Sequence, residues 1–204
     1  FALTAMVVPV SPAFGDVQRV HIPENAVWQH EPTQIMLPPA IGSFARGDLT
    51  LYRPDGLDVS MAYYLPQSDA TATLYIYKAA AGDLPIWFDR AVTSLSENEK
   101  LRAGPAVYQT AFTPPGRSAR SGLRAIFAPT IAGYKSTGVA ILPLGQWLIK
   151  LRLSSKSAMP AELDAMMVDF LGGVTWPDEM AEAPTAQAVK PCPNRLDFQR
   201  NAKQ

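Results

Sequence analysis

Two blocks of alternating apolar and polar residues, each followed by a helical pattern, limit the folds open to this chain. In the first block, residues 57–65 alternate at period two, and residues 70–78 do the same. Successive side chains of a strand point to opposite faces, so this alternation predicts two strands with one buried face each. Leu49 and Leu51 indicate a third strand, which the turn at residues 54–56 joins to the next.

The second block repeats this arrangement. Residues 123–130, 134–142 and 146–154 are predicted strands, the last two joined by a tight turn at residues 143–145. Apolar residues at spacings of three and four predict a helix over residues 84–102 and another from Pro160, which ends at residues 172–173. We interpret residues 103–122 as a long loop with a short strand near residues 107–112.

These elements predict an α+β fold. We expect one mainly antiparallel sheet of about six strands, in the order β-β-β-α-β-β-β-α, with helices packed on it. The 204 residues are enough for one domain with a substantial core. No apolar run approaches the roughly 20 residues of a membrane-spanning helix, so we expect no transmembrane segment.

The ends of the chain differ from its centre. Residues 1–15 are largely apolar and uncharged, and small residues follow the apolar run, which is typical of the rear half of a signal peptide; an N-terminal strand is the alternative. Residues 16–40 are interpreted as an extended lead-in, residues 41–176 as a single α+β domain, and residues 177–204 as a disordered tail or linker. A periplasmic or otherwise exported location follows from the signal peptide.

The second block also carries a family resemblance. The segments GYKSTGVAILPLGQWLIKLRLSS and PAELDAMMVDFLGGVTW resemble the end of Mog1/PsbP-like domains. The resemblance covers residues 41–176 and implies an antiparallel sheet between helices and a binding or assembly role without catalysis. The loop at residues 103–122 departs from that family, and the resemblance implies no site residues.

Charge is distributed unevenly along a chain that is neutral in total. Residues 100–161 hold nine basic residues and no Asp or Glu. If the last three predicted strands are neighbours, Arg124, Lys135, Lys150 and Arg152 are candidates for a shared anion-attracting surface, to which Arg117 and Arg120 of the loop add. The alternative is that these cations are dispersed and paired with acids from other parts of the fold.

Aromatic side chains form a second candidate site. Tyr64, Tyr75 and Tyr77 share one predicted sheet face, with Tyr52 near them. Such a set can stack against a sugar or a partner, or it can simply stabilise the sheet.

Catalytic and metal motifs are scarce. His21 and His30, near Glu24 and Glu31, match no known metal-site spacing, and we interpret them as solvated side chains in the lead-in. Cys192 is the single cysteine. We expect no metal and no cofactor, because the sequence contains no G-x-S-x-G, G-x-x-x-x-G-K or G-x-G-x-x-G motif.

Three functions are consistent with these patterns. The first is a non-catalytic exported module that binds an anionic small molecule, a glycan or a protein partner, but no nucleic acid. The second is a hydrolase that uses a carboxylate pair, for which Asp55 and Asp58 are the nearest candidates, although Asp is also expected beside a turn. The third is an envelope assembly or scaffold protein that binds through a sheet edge or an apolar patch.

Overall fold

The computed structural model describes residues 17–79, 83–98, 103–129 and 133–178. Within these ranges the chain has a large antiparallel sheet and two α-helices, which confirms the α+β class. The predicted signal peptide and nearly all of the predicted tail lie outside the described residues.

The described strands and helices follow one another along the chain in a simple order. They are β1 (Gln18–Val20), β2 (Trp28–His30), β3 (Ile35–Leu37), β4 (Ala40–Ile41), β5 (Phe44–Leu51), β6 (Asp58–Leu65), β7 (Ala70–Lys78), α1 (Leu84–Glu97), β8 (Ala106–Phe112), β9 (Gly122–Phe127), β10 (Ser136–Leu144), β11 (Trp147–Ser155) and α2 (Pro160–Gly172). A 3-10 turn at Pro66–Ser68 joins β6 to β7.

The main sheet has nine strands, so the predictions of about six strands and of the order β-β-β-α-β-β-β-α were wrong. Its order is β1-β5-β6-β7-β11-β10-β9-β8, with β4 also paired to β5, and β2 and β3 form a separate hairpin. The six predicted strands correspond to β5, β6, β7, β9, β10 and β11. The short strand predicted near residues 107–112 is β8. Strands β1 to β4 were missed because strands of two or three residues are too short to show a period.

The two helices pack on opposite faces of the sheet. Leu163, Met167 and Phe170 of α2 join one core cluster, while Leu84 and Phe88 of α1 join the other. Adjacent residues of β10 alternate between the two clusters, as the period of a strand requires. The centre of the sheet is therefore buried on both sides.

The lead-in packs on the α2 face. Ile35 and Leu37 of β3 are buried in the same cluster as α2. Arg46 of β5 holds this segment in place, because its guanidinium donates hydrogen bonds to the carbonyl oxygens of Pro23 at 2.7 Å and Leu37 at 3.3 Å. Side-chain bonds to backbone carbonyls thus fix a segment whose own strands are very short.

His30 is buried in this segment, so its interpretation as a solvated side chain was wrong. Its Nε2–H donates to the carbonyl oxygen of Gly56 at 2.9 Å, and its Nδ1 lies 2.8 Å from the hydroxyl of Thr33. The ring packs edge-on against Trp147, with centroids 5.0 Å apart. The sequence does not reveal this burial, because the contacts come from residues distant in the chain.

Gly138 of β10 allows α2 to approach the sheet. A Cβ at this position would lie 2.6 Å from Cδ1 of Ile126 and 2.8 Å from Sδ of Met167. We therefore expect Gly138→Ala to lower the free energy of unfolding by about 1–3 kcal/mol, the usual cost of overpacking. Equilibrium unfolding in urea measures this change in free energy. The matched control is Gly172→Ala, where the added Cβ meets no atom within 4 Å; an equal loss in both variants would contradict the explanation.

Burial lowers the pKa of His30, and its hydrogen bond to Gly56 opposes this only in part. A pKa below the unfolded-state value of about 6.5 means that the folded state favours the neutral ring. The stabilisation is therefore complete above pH 6.5 and is lost as the pH falls towards the folded-state pKa. We expect the difference in unfolding free energy between the parent and His30→Gln to shrink between pH 7.5 and pH 5.5 in urea titrations. A constant difference would contradict this effect.

Candidate functional site

Helix α1 covers only part of its face of the sheet. It packs on β9 and β10, where Leu123, Val139 and Ile141 lie beneath it. Strands β5, β6 and β7 lie further along the same sheet, beyond β11. At one end of β6, β7 and β11, side chains on this face border a groove.

The groove has a volume of about 700 Å³, within the range of ~300–1,000 Å³ that is usual for small-molecule sites. The β5–β6 turn, the strands β6, β7 and β11, and α1 form its walls. Its aromatic lining is Tyr52, Tyr75, Tyr77 and Trp87, and its charged lining is Arg53, Asp58, Lys78, Arg90 and Lys150. Among the described residues it therefore combines four aromatic rings with four cations and one carboxylate.

Cross-strand register explains why these side chains meet. Asp58 of β6 lies opposite Tyr77 of β7, and Ser60 lies opposite Tyr75. Tyr75 in turn lies opposite Lys150 of β11. Residues directly opposite one another on antiparallel strands share a sheet face. Ser60, Tyr75 and Lys150 therefore form a row across three strands on this face, and Tyr75 and Lys150 of that row line the groove.

Lys150 is a half-buried cation at the border between the open and the covered part of the sheet. Its other cross-strand neighbour, Ile141, is fully buried in the core that α1 closes. The Nζ atom lies 4.1 Å from the ring centroid of Tyr75 and 5.7 Å from that of Tyr77. No carboxylate in the described part of the chain lies within 4 Å of this Nζ.

The charges of the groove do not balance. Burial raises the pKa of Asp58, and the positive charge of Lys150 opposes this. Burial lowers the pKa of Lys150, the neighbouring charge of Arg152 lowers it further, and the negative charge of Asp58 opposes both in part. Arg53 is already paired with Asp55, with Nη2 and Oδ2 2.6 Å apart. The lining therefore retains an excess of positive charge.

The tyrosines offer both ring faces and proton donors. Burial raises the pKa of Tyr75, and it raises the pKa of Tyr77 to about 12. Both phenols therefore keep their proton at neutral pH and can donate a hydrogen bond. On the α1 side, the Tyr77 and Trp87 rings lie 5.6 Å apart, and the Arg90 guanidinium lies 5.1 Å from the Trp87 ring.

The structure brings together some of the predicted site residues. Lys150, Tyr75 and Tyr77 line the groove. Arg152 is on the same face, opposite Thr73, one row beyond the groove floor. Tyr64 also shares this face but lies two rows beyond the floor, where its ring covers Gly47 and is 47% exposed.

Two of the four predicted cations lie elsewhere, so the expected convergence of Arg124, Lys135, Lys150 and Arg152 does not occur. Arg124 lies on the α2 face and is paired with Asp164 of α2, with Nη2 and Oδ2 3.0 Å apart. Lys135 is exposed at the far end of the strands, where its backbone N–H donates to Ser155. Ser155 is five positions along β11 from Lys150, or about 17 Å.

Two loop arginines of the sequence hypothesis also lie away from the groove. Arg117 donates to the carbonyl oxygen of Pro143 at 3.2 Å, and Arg120 donates to that of Ala111 at 2.9 Å. Neither side chain lines the groove.

The helix supplies groove residues that sequence reasoning did not select. Trp87, Arg90, Ala91 and Ser94 of α1 line the groove. Their spacing of three and four residues places them along one flank of the helix, beside its apolar stripe. The sequence signal they leave is an aromatic and a basic residue on the flank of an amphipathic helix, and the side of the sheet that this flank faces depends on tertiary packing.

The carboxylate pair of the hydrolase hypothesis is only half present in the groove. Asp55 binds Arg53 and accepts the backbone N–H of Leu57 at 3.0 Å, as expected for Asp in a turn. Asp58 lines the groove without a second carboxylate among the described lining residues. Within the same ranges, no three His, Cys, Asp or Glu side chains cluster as metal ligands would.

Neither described helix is long and apolar enough to cross a membrane.

Comparison with known protein families, curated proteins and solved structures gave no match to this chain. The Mog1/PsbP-like resemblance therefore stays a prediction.

Proposed function

We propose that this protein is a non-catalytic binding module whose groove takes an organic anion that carries a ring. The ligand class that fits best is a phosphorylated or otherwise dianionic ring compound, such as a sugar or aromatic phosphate. Its exported location stays a prediction from the apolar N-terminal residues.

Lys150 carries this proposal. Its ammonium is half-buried, rests on Tyr75, and has no carboxylate within 4 Å among the described residues. Withdrawing a cation from water is costly unless an opposite charge or hydrogen-bond acceptors replace the lost solvent. A cation–π contact offsets only ~0.5–2 kcal/mol of this cost. An anion in the groove would supply a direct partner, which Asp58, more than 4 Å away, does not.

The aromatic lining indicates the rest of the ligand. Tyr52, Tyr77 and Trp87 border the same space as the cation. Flat ring faces stack on sugars and aromatic rings, and the phenols of Tyr75 and Tyr77 can donate hydrogen bonds to oxyanions. A ligand with both a ring and an anionic group uses both features, whereas a bare inorganic ion uses only one.

Lys150→Met tests the anion contact, because methionine keeps an unbranched chain and removes the charge. Phenyl phosphate is a suitable probe, since it unites a ring with a dianion. We expect it to bind at least about tenfold more weakly to the variant, since hydrogen bonds to charged groups contribute about 1.5–3 kcal/mol. Isothermal titration calorimetry gives the affinities, and circular dichroism confirms folding.

Lys135→Met is the matched control, because it removes an equal charge from the far end of the strands. Phenol and inorganic phosphate, titrated separately, distinguish the ring from the anion, and each should bind more weakly than phenyl phosphate. Equal affinity of both lysine variants, or no binding to the parent at millimolar concentration, would refute the proposal. Release of phenol from the probe would show catalysis instead.

Asp58→Asn should have the opposite effect. It removes the single carboxylate among the described lining residues, and with it the repulsion of an incoming anion. We expect phenyl phosphate to bind several-fold more tightly at pH 7, in a salt-sensitive manner. Calorimetry at low and high ionic strength measures both effects. Weaker binding to this variant would mean that Asp58 accepts a hydrogen bond from the ligand.

A further inference from the structure

A second groove lies on the α2 face, near the edge of the sheet. Strand β8, the residues that follow it and the C-terminal end of α2 enclose about 660 Å³. This volume is again in the range of small-molecule sites. The two helices pack on opposite faces of the sheet, so this space and the first groove are separate.

The walls of the second groove are mainly apolar. Phe112 of β8 and Leu171 and Val168 of α2 line it. The Phe112 ring occupies the space above Gly122, where a Cβ would come within 2.5 Å of the ring. Val168 remains 49% exposed although it faces an apolar space. An apolar body in the groove would bury this surface.

Two arginines line the same groove, and only Arg124 has a carboxylate partner among the described residues. Arg124 lies with its guanidinium carbon 5.6 Å from the Phe112 ring centroid and is paired with Asp164. Arg120 donates to the carbonyl oxygen of Ala111 at 2.9 Å, and no carboxylate lies within 4 Å of it in the described ranges. No Asp or Glu is among the described lining residues. The site therefore offers one net positive charge beside an apolar surface.

We propose that this second groove binds an apolar monocarboxylate. The carboxylate pairs with Arg120, and the hydrocarbon body lies against Phe112, Val168 and Leu171. A guanidinium matches a carboxylate in geometry, because it donates two parallel hydrogen bonds. A single net charge suits a monoanion, whereas the first groove has several cations. The two sites therefore select different ligands.

Gly172 allows the groove to be filled. It lines the groove, and a Cβ added there meets no atom within 4 Å. Gly172→Leu should therefore place an apolar side chain in the ligand space without disturbing the core. Arg120→Gln removes the charge and keeps a polar side chain of similar length. Gly172→Leu therefore hinders binding of the hydrocarbon body, and Arg120→Gln weakens binding of the carboxylate.

Dodecanoate, used below its micelle concentration, is the probe, and calorimetry measures its affinity. We expect the parent to bind it, and both Gly172→Leu and Arg120→Gln to bind at least about tenfold more weakly, a change of about 1.4 kcal/mol. Dodecanol lacks the carboxylate, and Arg120→Gln lacks the guanidinium, so neither combination can form the ion pair. Dodecanol should therefore bind the parent about as weakly as dodecanoate binds Arg120→Gln. Lys150→Met should bind dodecanoate as the parent does, which separates this site from the first groove.

Three results would overturn this assignment. One is an absence of dodecanoate binding to the folded parent. Another is unchanged affinity in Gly172→Leu, confirmed as folded by circular dichroism. The third is loss of binding in Lys150→Met, which would place the fatty acid in the first groove.

Discussion

The width of a helix relative to the sheet determines where this protein has open surface. A path of eight paired strands spans about 34 Å at the usual strand spacing, whereas a helix with its side chains is about 10–12 Å wide. One helix therefore covers two or three strands. On the α2 face, Ile35 and Leu37 of the lead-in fill much of the remainder. On the α1 face, part of the remainder, at one end of β6, β7 and β11, is the floor of the first groove.

Lys150 lies where this coverage ends. Its cross-strand neighbour on β10, Ile141, is buried beneath α1, whereas its cross-strand neighbour on β7, Tyr75, lines the groove. A cation at such a border loses part of its hydration, which is why burial lowers its pKa. A methionine would fill the same space without this penalty. A lysine whose pKa is lowered beside a cavity is a feature of many functional sites.

Sequence patterns predicted what depends on a single strand and missed what depends on the register between strands. The alternation correctly placed Tyr64, Tyr75 and Tyr77 on one face. The face that a residue occupies follows from its position within its own strand, and the short connection between β6 and β7 fixes how these two strands pair. It grouped Arg124 with Lys150 incorrectly. Ala140 of β10 lies opposite Arg124, whereas the adjacent Ile141 lies opposite Lys150. Adjacent residues face opposite sides of a sheet, so this offset of one position separates the two cations.

The same limit applies to the lead-in and to α1. Strands of two or three residues, such as β1 and β4, have no measurable period, and their existence depends on β5 as a partner. The apolar stripe of α1 predicted the helix, but the part of the sheet that it covers depends on tertiary packing. Trp87 and Arg90 thus became groove residues through a contact that local sequence does not encode.

The carboxylate-free stretch at residues 100–161 makes its cations depend on acids from other segments. Asp164 of α2 meets Arg124, and Asp69 of the β6–β7 connection meets Lys156 at 2.9 Å. Arg124 and Lys156 are thus neutralised where a segment with an acid packs beside them. Among the described residues, α1 contributes Trp87 and Arg90 to the groove lining, but no carboxylate. The excess positive charge therefore persists on the sheet face that α1 covers only in part. The positive charge of the first groove and the groove itself both result from the packing of this one helix.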